Sequence, residues 1–508
     1  MRRIDRITIE ERGISGLTLM ERAGRAVANL ILDRIKPRSI AVVTGKGNNA
    51  GDGFVVARIL HRGGLPVVLF MLAGGESLSG DALTNFQSLP TDIPRIPVTE
   101  ADQIARAAGR NDCIVDAILG TGVKGKVTGL FASVIERINS RESTVVAVDI
   151  PSGLPADAPY FDDLCVHADY TVTMGLPKIG MMQHPATSYC GEIVVADIGF
   201  PTDLLEAETS LKCNLVTPRM TRSLFPERPP AGHKGTFGSA FIIAGSSGMT
   251  GAAAMAAMAA ARSGAGLVFV AVPESLNPVL EVKITEPITI PLPTRTPGVP
   301  DPGMLDLLLE KADEMDAVAL GPGMGRAGET KDLIRELVTG ISKPLVLDAD
   351  GLNAFSGGHM ERIGKRKAPL ILTPHPGELA RMIDLETGRI QKNRINTARE
   401  FAVKYKAVLV LKGAGTVIAD PGGQIFINPT GNTALSKGGS GDILTGLIAG
   451  FLAQGLEPLE SCMLGVYAHG LAGELAAVEK TEIAALPGDV LEQIPQVFKI
   501  LTSKRDVK

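Results

Sequence analysis

No two of the chain's cysteines form a Cys-x-x-Cys pair. The five, Cys113, Cys165, Cys190, Cys213 and Cys462, are scattered and odd in number. That disfavours a disulfide framework and a zinc site, and points to reduced thiols in a reducing compartment. A charge excess is missing too. The formal net charge is −4 over 508 residues, so neither nucleic acid nor an anionic membrane is expected as a main partner. The stretch Met1 to Glu11 is charged and has no apolar core of the kind a signal peptide needs. No apolar run is long enough to span a bilayer. The greasiest, around Gly251 to Ala261, is short and Ala/Met-rich and reads as a buried helix. These absences leave a cytoplasmic protein with no membrane partner as the expectation.

The residues that are present describe a folded protein of more than one domain. Hydrophobic residues make up 45% and charged residues 21%, a globular balance, and 508 residues exceed one ordinary core. In the first half, apolar runs alternate with helical patterns. Strands are predicted at Ser39–Thr44, Pro66–Met71, Asp112–Ala117, Thr144–Asp149, Tyr170–Met174 and Glu192–Ala196. Helices are predicted over Gly51–His61 and over Thr8–Leu30. Such alternation predicts a parallel sheet with helices on both faces.

Between about Leu204 and Arg228 the pattern breaks among Thr217-Pro218, Phe225-Pro226 and Pro229-Pro230. Proline blocks helix continuation, so the domain boundary is placed there, giving domains over 1–215 and 225–503. The second half restarts the alternation. Its strands are predicted at Ala240–Ala244, Leu267–Val272, Ala317–Leu320, Leu345–Asp348, Leu370–Leu372 and Ala407–Leu411. A hairpin is predicted around Asp420-Pro421-Gly422-Gly423.

Five glycine-rich loops in the second half carry the chemistry. Lys437-Gly438-Gly439-Ser440-Gly441-Asp442 feeds an apolar helix. Glycines let backbone approach an anion, and a helix N-terminus offers N–H groups and partial positive charge. A carboxylate in that first turn repels phosphate, so Asp442 is placed to take a proton beside a transferring phosphoryl group. This is a kinase-like arrangement without the P-loop sequence. The other loops are Gly245 to Gly251, Gly321-Pro322-Gly323-Met324-Gly325, Thr373-Pro374-His375-Pro376-Gly377-Glu378 and Lys412-Gly413-Ala414-Gly415-Thr416. A single glycine-rich turn is ordinarily only a turn, and His375 alone could be a loop histidine held between prolines. Several such loops after strand ends converge on one crevice in an open α/β sheet.

With Gly232-His233-Lys234-Gly235, Ala265-Gly266-Leu267-Val268 and Asp348-Ala349-Asp350-Gly351-Leu352-Asn353, these blocks resemble the ADP/ATP-dependent NAD(P)H-hydrate dehydratases. The likeness runs from roughly Pro226 to Ile500. It implies a ribokinase-like α/β fold and a repair reaction. Water added to the reduced nicotinamide ring is removed after its hydroxyl is phosphorylated, which turns a poor leaving group into a good one. It implies nucleotide contacts at Lys412, Gly413, Ala414, Gly415, Thr416 and Gly441, and hydrate contacts at Ala252, Gly323, His375 and Asp442. Asp442 would be the general base, with N–H groups of Gly439 to Gly441 around the phosphoryl group. The donor would be ADP or ATP, the fused arrangement resembling the ADP-using form. Mg2+ follows from phosphoryl chemistry rather than from a ligand cluster.

In the first half, Thr44-Gly45-Lys46-Gly47-Asn48-Asn49-Ala50-Gly51-Asp52-Gly53 follows a strand and opens a helix. It fits only a relaxed dinucleotide fingerprint, because no ribose-binding acid follows the second strand. Its side-chain oxygens suit a hard cation or a ribose-phosphate. Asp116 to Gly122, with Lys124 and Lys126, and Asp149-Ile150-Pro151-Ser152-Gly153 follow later strands. Asp116 or Asp149 alone would pass for turn chemistry; three such loops favour a shared site.

These residues, with Gly175-Leu176-Pro177-Lys178 and Gly191-Glu192-Ile193, resemble the NAD(P)H-hydrate epimerases over roughly Arg2 to Leu211. The likeness implies a Rossmann-like three-layer αβα domain. It implies hydrate contacts at Asn48, Asn49, Ala50, Gly51, Asp52, Gly120, Thr121, Gly122, Val123, Lys124, Gly125, Lys126 and Asp149. It also implies K+ held by Asn49, Asp116 and Ser152, with Asp149 as the acid/base by position and charge. The family usually has glycine where Ala50 stands. The whole chain is then expected to take NADH hydrate, NADPH hydrate and ADP as small-molecule partners, and to form a homo-oligomer. The runner-up is a ribokinase-fold kinase of a vitamin-like alcohol fused to a nucleotide-binding domain; a first domain that only senses or scaffolds is the third reading.

Overall fold

The computed structural model describes residues 1–104, 112–122, 125–157 and 160–503, the side chain of residue 2 aside. The chain divides into two compact units, Met1–Leu211 and Lys212–Lys508.

The first unit holds strands β1 (Ile40–Thr44), β2 (Val67–Met71), β3 (Arg95–Pro97), β4 (Cys113–Ala117), β5 (Thr144–Val148), β6 (Tyr170–Met174) and β7 (Glu192–Ala196). They form one sheet in the order β3-β2-β1-β4-β5-β6-β7. Every pairing in it is parallel. All five residues of β1 are buried. Successive side chains of a strand face opposite sides. Accordingly Ile40 and Val42 join a core with Val27 and Phe54, while Ala41 and Val43 join another with Val134 and Ile138. Helices therefore cover both faces, giving three layers. The strand order reverses direction between β1 and β4, and the loops leaving these two strands flank the crevice such a reversal creates.

The second unit holds β8 (Cys213–Leu215), β9 (Ser239–Ile243), β10 (Leu267–Pro273), β11 (Ile288–Leu292), β12 (Ala317–Leu320), β13 (Leu345–Leu347), β14 (Leu370–Leu372), β15 (Val408–Leu411), β16 (Val417–Ala419) and β17 (Ile425–Ile427). Their order is β11-β10-β9-β12-β13-β14-β15-β16-β17-β8. Pairing is parallel from β11 to β15, antiparallel through the β15-β16-β17 meander, and parallel again between β17 and β8. The Ala/Met-rich helix Thr250–Arg262 packs on the helix Ser440–Ala453. Small side chains permit that approach: a Cβ on Gly446 would lie 2.1 Å from the Ala256 carbonyl oxygen. Among the described residues no helix is long and apolar enough to cross a membrane.

Two expectations change. The helix expected over Thr8–Leu30 is two helices, Arg2–Glu10 and Gly16–Leu30. Gly13 between them sits at φ 72°, and Ser15 caps the second helix by accepting from the Thr18 N–H. The proline-rich boundary is also more ordered than its composition suggests. Residues 213–215, placed by composition with the first domain, form β8 and hydrogen-bond to β17 in the second sheet.

Candidate active sites

In the second unit, the loops leaving β9, β12, β13, β14 and β15 meet the start of the helix Ser440–Ala453. Gly323 and Ala252 touch, since a Cβ on Gly323 would lie 2.9 Å from the Ala252 Cβ. Gly321, at φ 122°, lets the β12 loop pass against the next one, where a Cβ would meet the Asp348 carbonyl oxygen at 2.1 Å. His375 caps the helix Pro376–Ile383. Its Nδ1 accepts from the N–H groups of Gly377 at 3.0 Å and Glu378 at 3.3 Å. The remaining proton therefore sits on Nε2. Partial burial lowers the imidazole pKa, so the ring, still open to solvent on one side, offers a neutral donor near pH 7.

Lys412 lies at the centre. Its Nζ donates to Asp348 Oδ1 at 2.8 Å and stands 4.0 Å from Glu378 Oε2. Burial alone would lower its pKa, but Asp348 and Glu378 outweigh burial and hold the ammonium above its ordinary value. Asp348 is 1% exposed and also accepts from Thr445 Oγ1 at 2.7 Å. Gly441 abuts this pair, with its Cβ position 3.3 Å from Lys412 Nζ. Asp442 follows in the first helical turn. Burial, then the Asp348 charge, push its carboxyl up to about 7 despite the lysine. A carboxylate poised there is matched to base work at neutral pH. Gly439 turns the chain into the helix at φ 103°. One N–H of the expected phosphoryl cradle, that of Ser440, is instead given to the Lys437 carbonyl at 3.3 Å.

In the first unit, the helix Asn48–Arg62 begins three residues earlier than expected. Asn48 through Asp52 thus form its opening turns rather than a loop. Asn48 is exposed and Asp52 half-buried, while Asn49, Ala50 and Gly51 are buried. The Ala50 methyl packs in the core beside Phe54 and Val56. Gly51 is a packing glycine, its Cβ position 2.5 Å from Met20 Sδ. Asn49 Nδ2 donates to the Leu119 carbonyl at 3.0 Å. Gly120 follows, its Cβ position 3.3 Å from the Asn49 Cβ. Ser152 Oγ accepts from the Leu119 N–H at 2.8 Å and donates to Asp116, whose other oxygen accepts from the Ser152 N–H at 2.8 Å. Asp116 is fully buried, and burial, only partly offset by Ser152, pushes it up to about 6. Asn49 Oδ1, beside this network, is buried without a hydrogen-bond partner.

Asp149 sits after β5 at φ 67°, a left-handed conformation rare outside glycine. Its Oδ1 accepts from the Met174 N–H at 3.0 Å and from Lys178 Nζ. Lys178 is 5% exposed and also donates to Thr173 Oγ1 at 2.9 Å. Burial and the Asp149 charge push Asp52 well above the usual carboxylate range. Thr121, Gly122 and Gly125 lie in the loop after β4. Lys126 is exposed and pairs with Asp163 at 3.2 Å. Val123 and Lys124 lie outside the described residues.

Lys178, Asp348, Glu378 and Thr445 were not singled out as site residues from sequence. Asp348 and Lys178 carried a usable signal, since each stands in a loop directly after an apolar strand. Thr445 carried none, because a threonine in an apolar helix reads as packing.

Family models match both halves. The model described as NAD(P)H-hydrate dehydratase matches residues 240–496, and the one described as YjeF-related protein N-terminus matches residues 16–180. The bifunctional NAD(P)H-hydrate repair enzyme Nnr of Moorella thermoacetica is 42% identical, over 99% of this chain and 96% of its own length. The enzyme of that name from Thermofilum pendens is 37% identical, over 98% and 95%. Among solved structures, the ADP/ATP-dependent NAD(P)H-hydrate dehydratase of Bacillus subtilis, co-crystallised with ATP and Mg2+, is 35% identical. It aligns with a TM-score of 0.50, over 57% of this chain and 98% of that one.

Proposed function

This chain belongs to the bifunctional NAD(P)H-hydrate repair enzymes, and on that premise we propose how its two sites divide the work. The protein restores hydrated NADH and NADPH. The second unit is the ADP- or ATP-dependent dehydratase, and the first is the epimerase. We assign ADP as the donor, giving AMP and phosphate, and the S hydrate as the form the dehydratase accepts, with the epimerase converting R to S.

In the dehydratase, Asp442 takes the proton of the ring hydroxyl as that oxygen attacks the terminal phosphoryl group. The backbone N–H groups of Gly439 and Gly441 and the Lys412 ammonium face the developing charge, the Ser440 N–H being committed to Lys437. The phosphorylated oxygen then leaves as phosphate, driven by the ring nitrogen lone pair, and the iminium so formed gives up a proton from the adjacent ring carbon to the departing phosphate, so that the double bond returns. The Lys412–Thr416 loop and Gly441 hold the nucleotide. Ala252, Gly323 and the Nε2–H of His375 hold the hydrate. Among the described residues no group of three or more His, Cys, Asp or Glu side chains is placed to hold a metal ion. We assign Mg2+ to the phosphates of the bound nucleotide, where it would offset the charge of the transferring group.

In the epimerase, Asp149 moves the proton at the hydrate's carbinolamine centre, with Lys178 holding its carboxylate. Asn48, Asn49, Asp52, Gly120 to Gly122 and Gly125 surround the hydrate, whereas Ala50 and Gly51, buried in the core and donating their N–H groups to Gly47, shape the turn without touching it. Lys126, paired with Asp163, would reach it only by leaving that partner. The K+ assignment fits the residues present. Asn49 supplies a buried oxygen without a partner, next to Asp116 and Ser152, a set of hard oxygen donors. A bound K+ would supply a fixed positive charge for the substrate's phosphates.

The observation that carries this reading is the half-buried Asp442 beside the Lys412–Asp348 pair at a helix N-terminus. The test is a mixture of both NADH-hydrate epimers with the protein, Mg2+, K+ and either ADP or ATP. NADH absorbance should recover fully, with one phosphate released per NADH and the faster nucleotide naming the donor. A stable phosphorylated product without NADH would sink the dehydratase reading.

A further inference from the structure

Arg394 stands in the polar stretch Gln391-Lys392-Asn393-Arg394-Ile395-Asn396, where an arginine would ordinarily be solvated. It is instead 5% exposed, at the first position of the helix Arg394–Tyr405. Among the described residues no carboxylate pairs with it. Its partners are backbone carbonyls of one loop. Nη1 donates to Ala414 at 3.0 Å, and Nη2 to Leu411 at 3.0 Å, with Lys412 and Gly415 each at 3.4 Å. Nε is buried without an acceptor. A cation withdrawn from water and given only neutral acceptors is costly. Burial accordingly lowers its pKa to about 10.

That cost has a geometric return. In a trans peptide the C=O of one residue and the N–H of the next point in opposite directions. The carbonyls of residues 411, 412, 414 and 415 face Arg394. The N–H groups of Lys412, Gly413, Gly415 and Thr416 must then point away from it. The first of these obeys the rule visibly, donating to the Pro374 carbonyl at 2.9 Å. The path needs glycine: Gly413 sits at φ 134° and Gly415 at φ 61°. A Cβ on Gly413 would also lie 2.8 Å from Arg394 Nη1. The outward side of this loop carries the nucleotide in the function proposed above, on which the present inference rests.

We propose that Arg394 is a positioning residue for the nucleotide. By gathering the loop's carbonyls it aims the N–H groups of Gly413 and Thr416 at the anionic donor, forming a small anion nest. Its own charge, with no carboxylate partner, adds an attractive field behind the loop. It touches neither the reacting atoms nor the hydrate.

The experiment uses the full chain carrying R394Q or R394K. ADP affinity is read by titration calorimetry, alongside KM for ADP, KM for hydrate, kcat and the epimerase activity of the first unit. R394Q should weaken ADP binding by about ten- to hundredfold, the scale of losing one or two charge-assisted hydrogen bonds. The hydrate KM and the epimerase activity should be unchanged, and kcat should stay within about threefold. R394K should recover part of the affinity. Unchanged ADP affinity in R394Q, or a loss confined to kcat, would overturn the proposal. Should R394Q lose its folded second unit, G413A keeps the arginine and displaces the loop from it. The same selective loss of ADP affinity is then expected, and wild-type affinity in folded G413A is an overturning result. If the wild-type protein itself binds no ADP, the nucleotide-dependent repair reading fails. Wild-type binding with indifferent variants sinks only the role of Arg394.

Discussion

Replacing Asp442 by asparagine should abolish dehydration and stabilise the second unit, by an amount that depends on pH. The carboxyl titrates at about 7 in the folded protein against an ordinary value of 3.8. The folded state therefore keeps this proton to a higher pH than the unfolded chain does. Stability falls as pH rises from 3.8, and the loss is complete above about 7. A rise of about three pH units, at about 1.4 kcal/mol each, makes ionised Asp442 cost about 4 kcal/mol. Asparagine carries no such charge. The variant should gain about 4 kcal/mol over wild type at about pH 8 and well under half of that at about pH 5. Denaturant titration of the second unit's transition at several pH values gives the comparison directly. The rate carries the same group in the opposite sense. A base must be deprotonated, so wild-type kcat/KM should rise with pH through about 7. A pH-independent stability difference, together with a rate profile flat down to about pH 5, would refute both the tuning of Asp442 and its role as base.

The first unit offers two further tests. Lys178→Met removes the cation that holds Asp149, and should cut epimerisation by about a hundredfold or more while ADP-dependent dehydration of S hydrate is untouched. A coupled assay starting from pure R hydrate separates the two rates. Asn49→Leu keeps the branching of the side chain but removes the unpartnered oxygen, along with the Nδ2–H given to Leu119, so the rise in thermal stability on exchanging Na+ for K+ should vanish. In the wild type that rise should be present above about pH 6, where Asp116 is ionised, and shrink below it as the carboxyl takes a proton and loses its attraction for a cation.

Much of the architecture was readable because parallel strands buried on both faces are short unbroken apolar runs. Ile40–Thr44, Ala317–Leu320 and Leu370–Leu372 stand out for that reason. The short strands β3, Arg95–Pro97, and β8, Cys213–Leu215, did not, because their side chains are only partly covered and follow no apolar pattern. Catalytic loops were legible where glycine forces the backbone, as at Gly439. The supporting charges were not. Nothing local distinguishes buried Arg394 from a solvated surface residue, since its burial is set by a loop some way along the chain. The start of the helix at Asn48 was also hidden, because the small polar residues that suit a loop suit a first helical turn equally.

Strand β8 alters how the two activities can be separated on the bench. A clone begun after the proline cluster, near residue 225, would discard Cys213–Leu215 and uncover the hydrogen-bonding edge of Ile425–Ile427. A bare edge recruits strands from other molecules, so such a fragment should express as aggregate and pass for an inactive enzyme. A clone begun at Lys212 carries its own edge strand. The stretch that resembles a spacer is structural material of the dehydratase, and an insertion or tag placed within it would act as a mutation in that sheet.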